Sequence, residues 1–490
     1  MRPFFKNLQF AATLILLFGT IQPCFAQEKI KLIYQRIWES EEVFEPMIQA
    51  YEREHPNVDI EYHQIPYQQY KNTLKPALEA GVGPDMFEIH SSWLPHYISE
   101  LAHIPGTVYT IGEYSSDFHD LVARSFISRG KIWAIALDAN TLALFYNKDI
   151  FEEAGLNPNY PPRSWDELVE YSVTIKKKTG KWGAAIGTAY NTPQDHNILE
   201  MFAVQRGAYP VSDNLTKSLV NMQEFVKAMQ FYTDFVLKHG VWSPSAPPGD
   251  AAFVNGDVGM VINGSWLINS VLSANMNAGT ANVPQYDPSQ PYTHATFWGE
   301  VVSADCKRPE IAWDFLKFCA NRRNMTHFFQ QTKRPPSRRD LLSVTAENPQ
   351  VRVLIAPFIN QAVYAGQQFK PWEDDWRSSQ LDAIEAVIHG GKSPQEALDI
   401  ASEKETVMLL DYKSKSKSEF TVTKIVEREK VTAGDNEDLY TVIPGDNLRR
   451  IALLYYEDEN KWQKIYERNV DRIIDPAYIY NGQVLIIPKN

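Results

Sequence analysis

The sequence predicts an α/β protein built from two or three compact units, and three observations lead there. The chain has 490 residues, 44% of them hydrophobic, which is more than one core accommodates. From Ile30 onward, runs with a two-residue apolar repeat alternate with runs at helical spacing, the pattern of helices layered on a largely parallel sheet. Composition then breaks at Lys413-Ser414-Lys415-Ser416-Lys417-Ser418, which cannot build a core and reads as a linker to a separate C-terminal unit.

The start of the chain reads as a targeting segment. Arg2 and Lys6 precede an apolar run from Leu8 to Ile21, and Cys24-Phe25-Ala26 offers small residues where a signal peptidase cuts, so residues 1–26 are expected to be a cleaved secretory leader. The run is shorter than the about 20 residues that span a bilayer, which argues against a retained anchor. Cys24 lies where a lipoprotein carries its lipid, but Pro23 replaces the usual small residue, which favours cleavage without lipidation. The formal charge of −12 becomes −14 when Arg2 and Lys6 leave, and this acidity argues against a nucleic-acid partner. Cys306 and Cys319 then remain. They bracket about ten helical residues at ~1.5 Å rise, too far apart for the ~7 Å Cα limit of a disulfide, so two buried free thiols are expected.

Ile30 to Tyr34 reads as a strand, Val43 to Tyr51 as a helix, Val58 to Tyr62 as a second strand, and Tyr70 to Leu78 as a helix that Gly81 can end. Ligands of parallel sheets sit beyond the carboxyl ends of the strands, which singles out Trp38 and the loop His90, Ser92, Trp93. Ser164 and Glu167 form a capping box for a helix to about Thr179. Tyr190 to Asn197 reads as a polar loop, followed by a helix from Ile198 to Gln205 that Gly207 ends. Ala251 to Phe253 close a helix, Asn255-Gly256-Asp257 turns the chain, and Val258, Met260 and Ile262 alternate in a strand ending at Asn263-Gly264-Ser265-Trp266. Trp266 there either stands at the mouth of a cleft or packs a loop. Pro309 to Cys319 places Ala312, Phe315, Leu316 and Cys319 on one core face. Trp372 and Trp376 precede an amphipathic helix through Ile384 and Ile388, and Ser393-Pro394-Gln395-Glu396 caps the closing helix.

Six segments in order carry a family resemblance: GPDMFEIHSSW, LALFYNKDIFEEAGL, SWDEL, AAFVNGDVGMVINGSW, PEIAWDFLKF and SPQEALDIA. Over roughly Ile30 to Leu410 the chain resembles the family 1 extracellular solute-binding proteins, receptors of ABC sugar importers similar to maltose-binding protein. The resemblance implies the two-lobed, type II periplasmic-binding-protein fold, with the chain crossing between lobes near Asp138-Ala139-Asn140-Thr141. It makes Asp138 and Asn140 candidates for the ligand, though either also suits a turn cap. It also implies ligand roles for Asp195, Trp266 and the Trp298-Gly299 loop, where Trp298 replaces part of a commoner double glycine, and Trp376 is a further aromatic candidate. No catalytic residue, metal or cofactor is expected.

The last unit reads strand, helix, helix, strand from Leu439, and YTVIPGDNLRRIA, KWQKIYERN and IIDPAYIYNGQVLIIP resemble a LysM domain, a βααβ module that binds N-acetylglucosamine polymers such as peptidoglycan. The resemblance places its glycan groove at Gly445, Asp446 and Asn447, facing Ile474 and Asp475. Asn447 and Asn481 depart from the usual threonine and proline. The expected division is a leader at 1–26, a two-lobed receptor at 27–410, a linker at 411–438 and a LysM domain at 439–490. The expected function is a monomeric periplasmic receptor for a small carbohydrate, partnered by an ABC permease and tethered to peptidoglycan. A sensor subunit is the alternative, and a cell-wall glycan hydrolase a further one, although no hydrolase motif stands out.

Overall fold

The computed structural model describes residues 29–341, 348–415, 433–434, 436–443, 446–470, 473, 476, 479 and 484–489. The expected leader with Cys24, and residues 416–432 and 435 of the expected linker, lie outside the described residues. No described helix is long and apolar enough to cross a membrane.

The first lobe is a five-stranded sheet. β1 (Ile30–Arg36) pairs in parallel with β2 (Val58–Gln64) and β3 (Met86–His90), and α1 (Glu41–Glu54) and α2 (Tyr67–Glu79) connect them. β4 (Leu101–Ala102) follows at an edge, and the chain then crosses to the second lobe. There β5 (Ala143–Asn147) is flanked by two strands from later in the chain. α3 (Trp165–Thr179) opens on the Ser164–Glu167 capping box and stops at Gly180, whose φ of 76° suits glycine. β6 (Trp182–Ala184), α4 (Asp195–Gln205), α5 (Gln223–Leu237), α6 (Gly249–Val254), β7 (Val258–Asn263), α7 (Leu267–Ser273) and β8 (Ala278–Ala281) complete a sheet ordered β8-β5-β7-β6. β9 (Trp298–Ser303) returns to the first sheet between β3 and β4, followed by α8 (Pro309–Cys319) and α9 (Arg322–Thr332). α10 (Pro349–Gln361), α11 (Glu373–Ile388) and α12 (Pro394–Lys415) then pack on the second lobe.

The expectation of a largely parallel sheet is corrected. Only β2-β1-β3 and the β6-β7 pair are parallel, while β9 runs antiparallel to β3 and β4, and β5 antiparallel to β7 and β8. The cause is the crossing: a strand that returns from the other lobe enters its sheet from the opposite end. β7 is buried on both faces, with Met260 and Ile262 in one core and Val261 between them in another, so its alternation there separates two interiors rather than core from solvent.

Packing locates the crossings within a few residues. Ala139 belongs to the first lobe's core and Leu142 to the second's; Ala295 and Tyr292 divide the same way on the return. The two crossings are laced by Thr296 N–H to Asn140 O at 3.0 Å and Leu142 N–H to His294 O at 3.0 Å. Thr293–His294 also pairs in parallel with Ala365–Gly366, so the segment that follows α10 meets the returning crossing.

Two boundaries shift. α4 begins at Asp195, inside the expected loop, because all eleven of its residues are buried against the second core. α12 continues to Lys415, so the first five residues assigned to the linker are helical, held by buried Tyr412 against His96, Phe369 and Trp372. Cys306 and Cys319 are free and buried, as the spacing predicts. The C-terminal unit is a βααβ fold: β10 (Glu437–Thr441) pairs antiparallel with β11 (Val484–Pro488), and α13 (Leu448–Tyr456) and α14 (Trp462–Arg468) pack on them around Val442, Ile451, Ile465 and Leu485.

Candidate functional site

The parallel strands of both lobes aim their carboxyl ends at the junction. From the first lobe, the residues following β1, β2 and β3 and the start of β9 supply an aromatic wall. Trp38, 44% exposed, stacks on Tyr67 with ring centroids 5.4 Å apart and meets Trp298 edge-on at 5.8 Å. Trp298 also contacts Trp93 at 5.1 Å and His90 at 5.3 Å. The structure thus gathers Trp38, His90, Ser92, Trp93 and Trp298 in one place. Tyr67 belongs with them, and the strand-end rule applied to β2 would have found it.

From the second lobe, Trp266 follows β7 and is 37% exposed. Its ring lies over Gly264 so closely that a Cβ there would collide with it. Asp195, in the first turn of α4, is buried and paired with Arg377 of α11 at 2.9 Å and with the His196 ring at 2.9 Å. Burial alone would raise its pKa, but His196 and Arg377 hold it below the ordinary aspartate value. Arg377, 182 residues away in sequence, carried no sequence signal.

The crossing segment lies between these walls. The Asn140 side-chain oxygen accepts from Thr141 N–H at 3.0 Å and Ser265 N–H at 3.3 Å, tying the crossing to the Trp266 turn. Asp138 lies 3.5 Å from Arg334 and borders a buried charge cluster. In that cluster Arg36 contacts Glu39, Glu88 and Glu300, and Arg334 contacts Glu39. Four carboxylates therefore face two guanidiniums. Burial pushes Asp138 up to about 7 against the pull of Arg334, and pushes Glu300 up to about 8 against that of Arg36. Asp138 Oδ1, Asn140 Nδ2 and Ser265 Oγ are buried without a hydrogen-bond partner among the described residues.

Two candidates are corrected. Trp376 lies inside α11, fully buried in the second core, because its position one turn into the helix points it at Leu381 and Ile384's side of the packing. Gly299 is a packing glycine in β9: a Cβ there would press on Phe126 and Ala134.

The walls are also joined directly. Glu373, in the first turn of α11, accepts from Ser92 Oγ at 2.6 Å and Trp93 Nε1 at 2.8 Å and lies 3.8 Å from His90. Gln367 donates to Ser91 Oγ at 2.6 Å, and Lys71 of α2 pairs with Asp374. Sequence reasoning found none of these second-lobe partners.

In the C-terminal unit, Asp446 accepts from Tyr440 O–H at 2.6 Å and Ile443 N–H at 3.0 Å, and Asn447 caps α13 by accepting from Arg450 N–H at 2.9 Å. Both candidates thus hold the turn, and asparagine serves the cap as threonine would. Gly445, Ile474 and Asp475 lie outside the described residues.

Two α/β lobes, with two crossings laced together at a junction that the strand ends of both lobes face, define a type II two-lobed binding protein. The family model for bacterial extracellular solute-binding proteins matches residues 46–352, and that for the LysM domain matches 440–488. The chain belongs to the bacterial extracellular solute-binding proteins and carries a LysM domain at its C-terminal end.

Among curated relatives, it is 26% identical over 291 residues to a maltotriose-binding protein of Pyrococcus abyssi, covering 56% of this chain and 59% of that protein. It is 23% identical over 394 residues to a galactooligosaccharide-binding protein of Bacillus subtilis, covering 75% and 87%. An sn-glycerol-3-phosphate-binding periplasmic protein of Escherichia coli is 25% identical over 317 residues, covering 59% and 70%. Of solved structures, a solute-binding protein from Thermotoga lettingae bound with α-D-tagatose superposes with a TM-score of 0.65 at 22% identity, covering 77% of this chain and 99% of that one. A cyclic α-maltosyl-1,6-maltose-binding protein from Arthrobacter globiformis gives 0.65 at 23%, covering 78% and 100%. These likenesses establish the fold.

Proposed function

We propose that the chain is a receptor for an uncharged carbohydrate, serving an ABC importer from the periplasm, with its LysM domain holding it on peptidoglycan. The observation that carries the reading is the pairing of flat aromatic faces with unpaired polar atoms. Trp38, Tyr67 and Trp298 offer apolar faces to a sugar ring, while Asp138, Asn140 and Ser265 hold buried polar atoms that hydroxyls would pair. The cations near them already have carboxylate partners: Arg377 with Asp195, Lys71 with Asp374, and Lys370 with Glu200 at 3.0 Å. An anionic group would therefore have to displace a carboxylate, which favours a neutral solute over a phosphate ester. The relatives named for maltotriose and galactooligosaccharide support the same class.

The division follows as part of the proposal: a leader at 1–26, a receptor extended to Lys415 by α12, a linker, and the LysM domain. A calorimetric screen of neutral oligosaccharides beside glycerol 3-phosphate tests the reading. Binding of the phosphate ester alone would sink it.

A further inference from the structure

The residues facing Glu373 form an anion pocket that spans the two lobes. On one side are the Ser92 hydroxyl, the Trp93 indole N–H and the His90 ring, all from the loop that ends β3 in the first lobe. On the other is α11, anchored in the second lobe's core by Trp376, Leu381, Ile384 and Val387. The Glu373 carboxylate can only accept, so Ser92 spends its proton on it. The Ser92 oxygen is then left to accept from His90 Nδ1, 2.7 Å away. The His90 Nε2 atom is 3.1 Å from Thr296 Oγ1, on the returning crossing, so the relay reaches the junction itself. A carboxylate held by two neutral donors in a mostly buried setting makes strong, directional bonds. Lys71 with Asp374 and Gln367 with Ser91 flank it on the same seam.

We infer that Glu373 is a built-in carboxylate ligand that latches the lobes together, filling a first-lobe anion pocket and holding the closed form without solute. The inference rests on the two-lobed receptor fold and not on the identity of the solute. Two consequences follow. Ser92 and Trp93 Nε1 are occupied by the protein and do not read the solute. Removing the carboxylate leaves an empty carboxylate-shaped pocket that a small anion of the same chemistry fills.

The experiment uses the full mature chain and three variants, Glu373→Ala, Glu373→Gln and Trp93→Phe, with no sugar added. Small-angle scattering reads the radius of gyration, and thermal shift reads binding of sodium formate against a sodium chloride control. Glu373→Ala should expand in solution, and formate should raise its melting temperature and restore compaction. The wild type, its pocket full, should respond to neither salt differently. Glu373→Gln keeps the shape without the charge and should expand less, again without a formate response. Trp93→Phe removes one donor to Glu373 and should also expand, so where Glu373→Ala fails to fold it carries the test, and an unchanged radius in it overturns the inference. Once a solute is known, opening should weaken its binding by roughly five- to a hundredfold, the usual span of such coupling. An unchanged radius in a folded Glu373→Ala, or one that opens with no formate response above the chloride control, overturns the inference. Because neither readout uses sugar, failure of the carbohydrate assignment would show up separately in the oligosaccharide screen.

Discussion

Replacing Asp138 by Asn tests whether the buried charge cluster under the crossing is held together by protons. Asp138 is 3% exposed, and burial lifts it from 3.8 to about 7 in the folded chain, with Arg334 opposing the shift and Glu39 adding to it. A raised acid binds its proton more tightly folded than unfolded. Its contribution is therefore complete below the unfolded value near 4 and is lost as pH rises toward 7, after which it is flat. Integrated over that window the loss is about 4 kcal/mol, of which about 2 to 3 kcal/mol falls between pH 5 and pH 8. Asparagine keeps the shape and cannot ionise, and Arg334 retains Glu39 at 2.7 Å, so no guanidinium is stranded. Urea denaturation of both proteins, followed by tryptophan fluorescence at pH 5 and pH 8, gives the comparison. The variant should gain on the wild type by about 2 to 3 kcal/mol on moving to the higher pH. An equal difference at the two pH values would show that Asp138 titrates in the folded chain as it does in water, and the cluster argument would fail.

Trp266→Ala should weaken binding of the cognate sugar by about 1 to 3 kcal/mol if the ring stacks on it, measured by titration calorimetry; unchanged affinity would place the solute elsewhere. Gly264→Ala should push that ring from its place and weaken binding in the same direction. In a Trp266→Ala background it should cost little more, and additive losses would show that the two residues act apart. For the C-terminal unit, the full mature chain should sediment with purified sacculi while a chain ended after Lys415 should not; equal retention refutes the tether. The cut is placed there because α12 keeps Tyr412 buried in the receptor.

Local signals in the sequence were read well where the physics is local. The Ser164 and Ser393 boxes, the Gly180 stop, and the core face of Ala312, Phe315, Leu316 and Cys319 each follow from contacts within a few residues. In the first-lobe aromatic wall, Trp38, His90 and Trp93 were legible for a similar reason, since a strand end fixes where its next residues go, whereas Trp298 starts a strand and rested on the family resemblance. The second-lobe side was not. Arg377 meets Asp195, Glu373 meets Ser92 and Gln367 meets Ser91 across separations of 182, 281 and 276 residues, and no periodicity encodes such pairs. Trp376 misled because an aromatic near a cleft and one facing the core look alike until the helix start is known. The mixed sheets were hidden because strand direction depends on which crossing feeds each strand, and alternation of strands and helices is blind to that.

The long-range pairs also bear on how affinity could arise. A solute that must both bind and close the lobes keeps its affinity only in proportion to the fraction of protein already closed. Here the polar groups that meet across the seam satisfy one another: Glu373 with Ser92 and Trp93, Lys71 with Asp374, and Gln367 with Ser91. At the junction, by contrast, Asp138, Asn140 and Ser265 keep buried polar atoms without a hydrogen-bond partner among the described residues, with Ser265 in the Trp266 turn. Closure and recognition are thus assigned to different residues. Mutations on the seam should change affinity for all solutes by a similar factor, whereas mutations at the junction or in the aromatic wall should change the ranking among sugars.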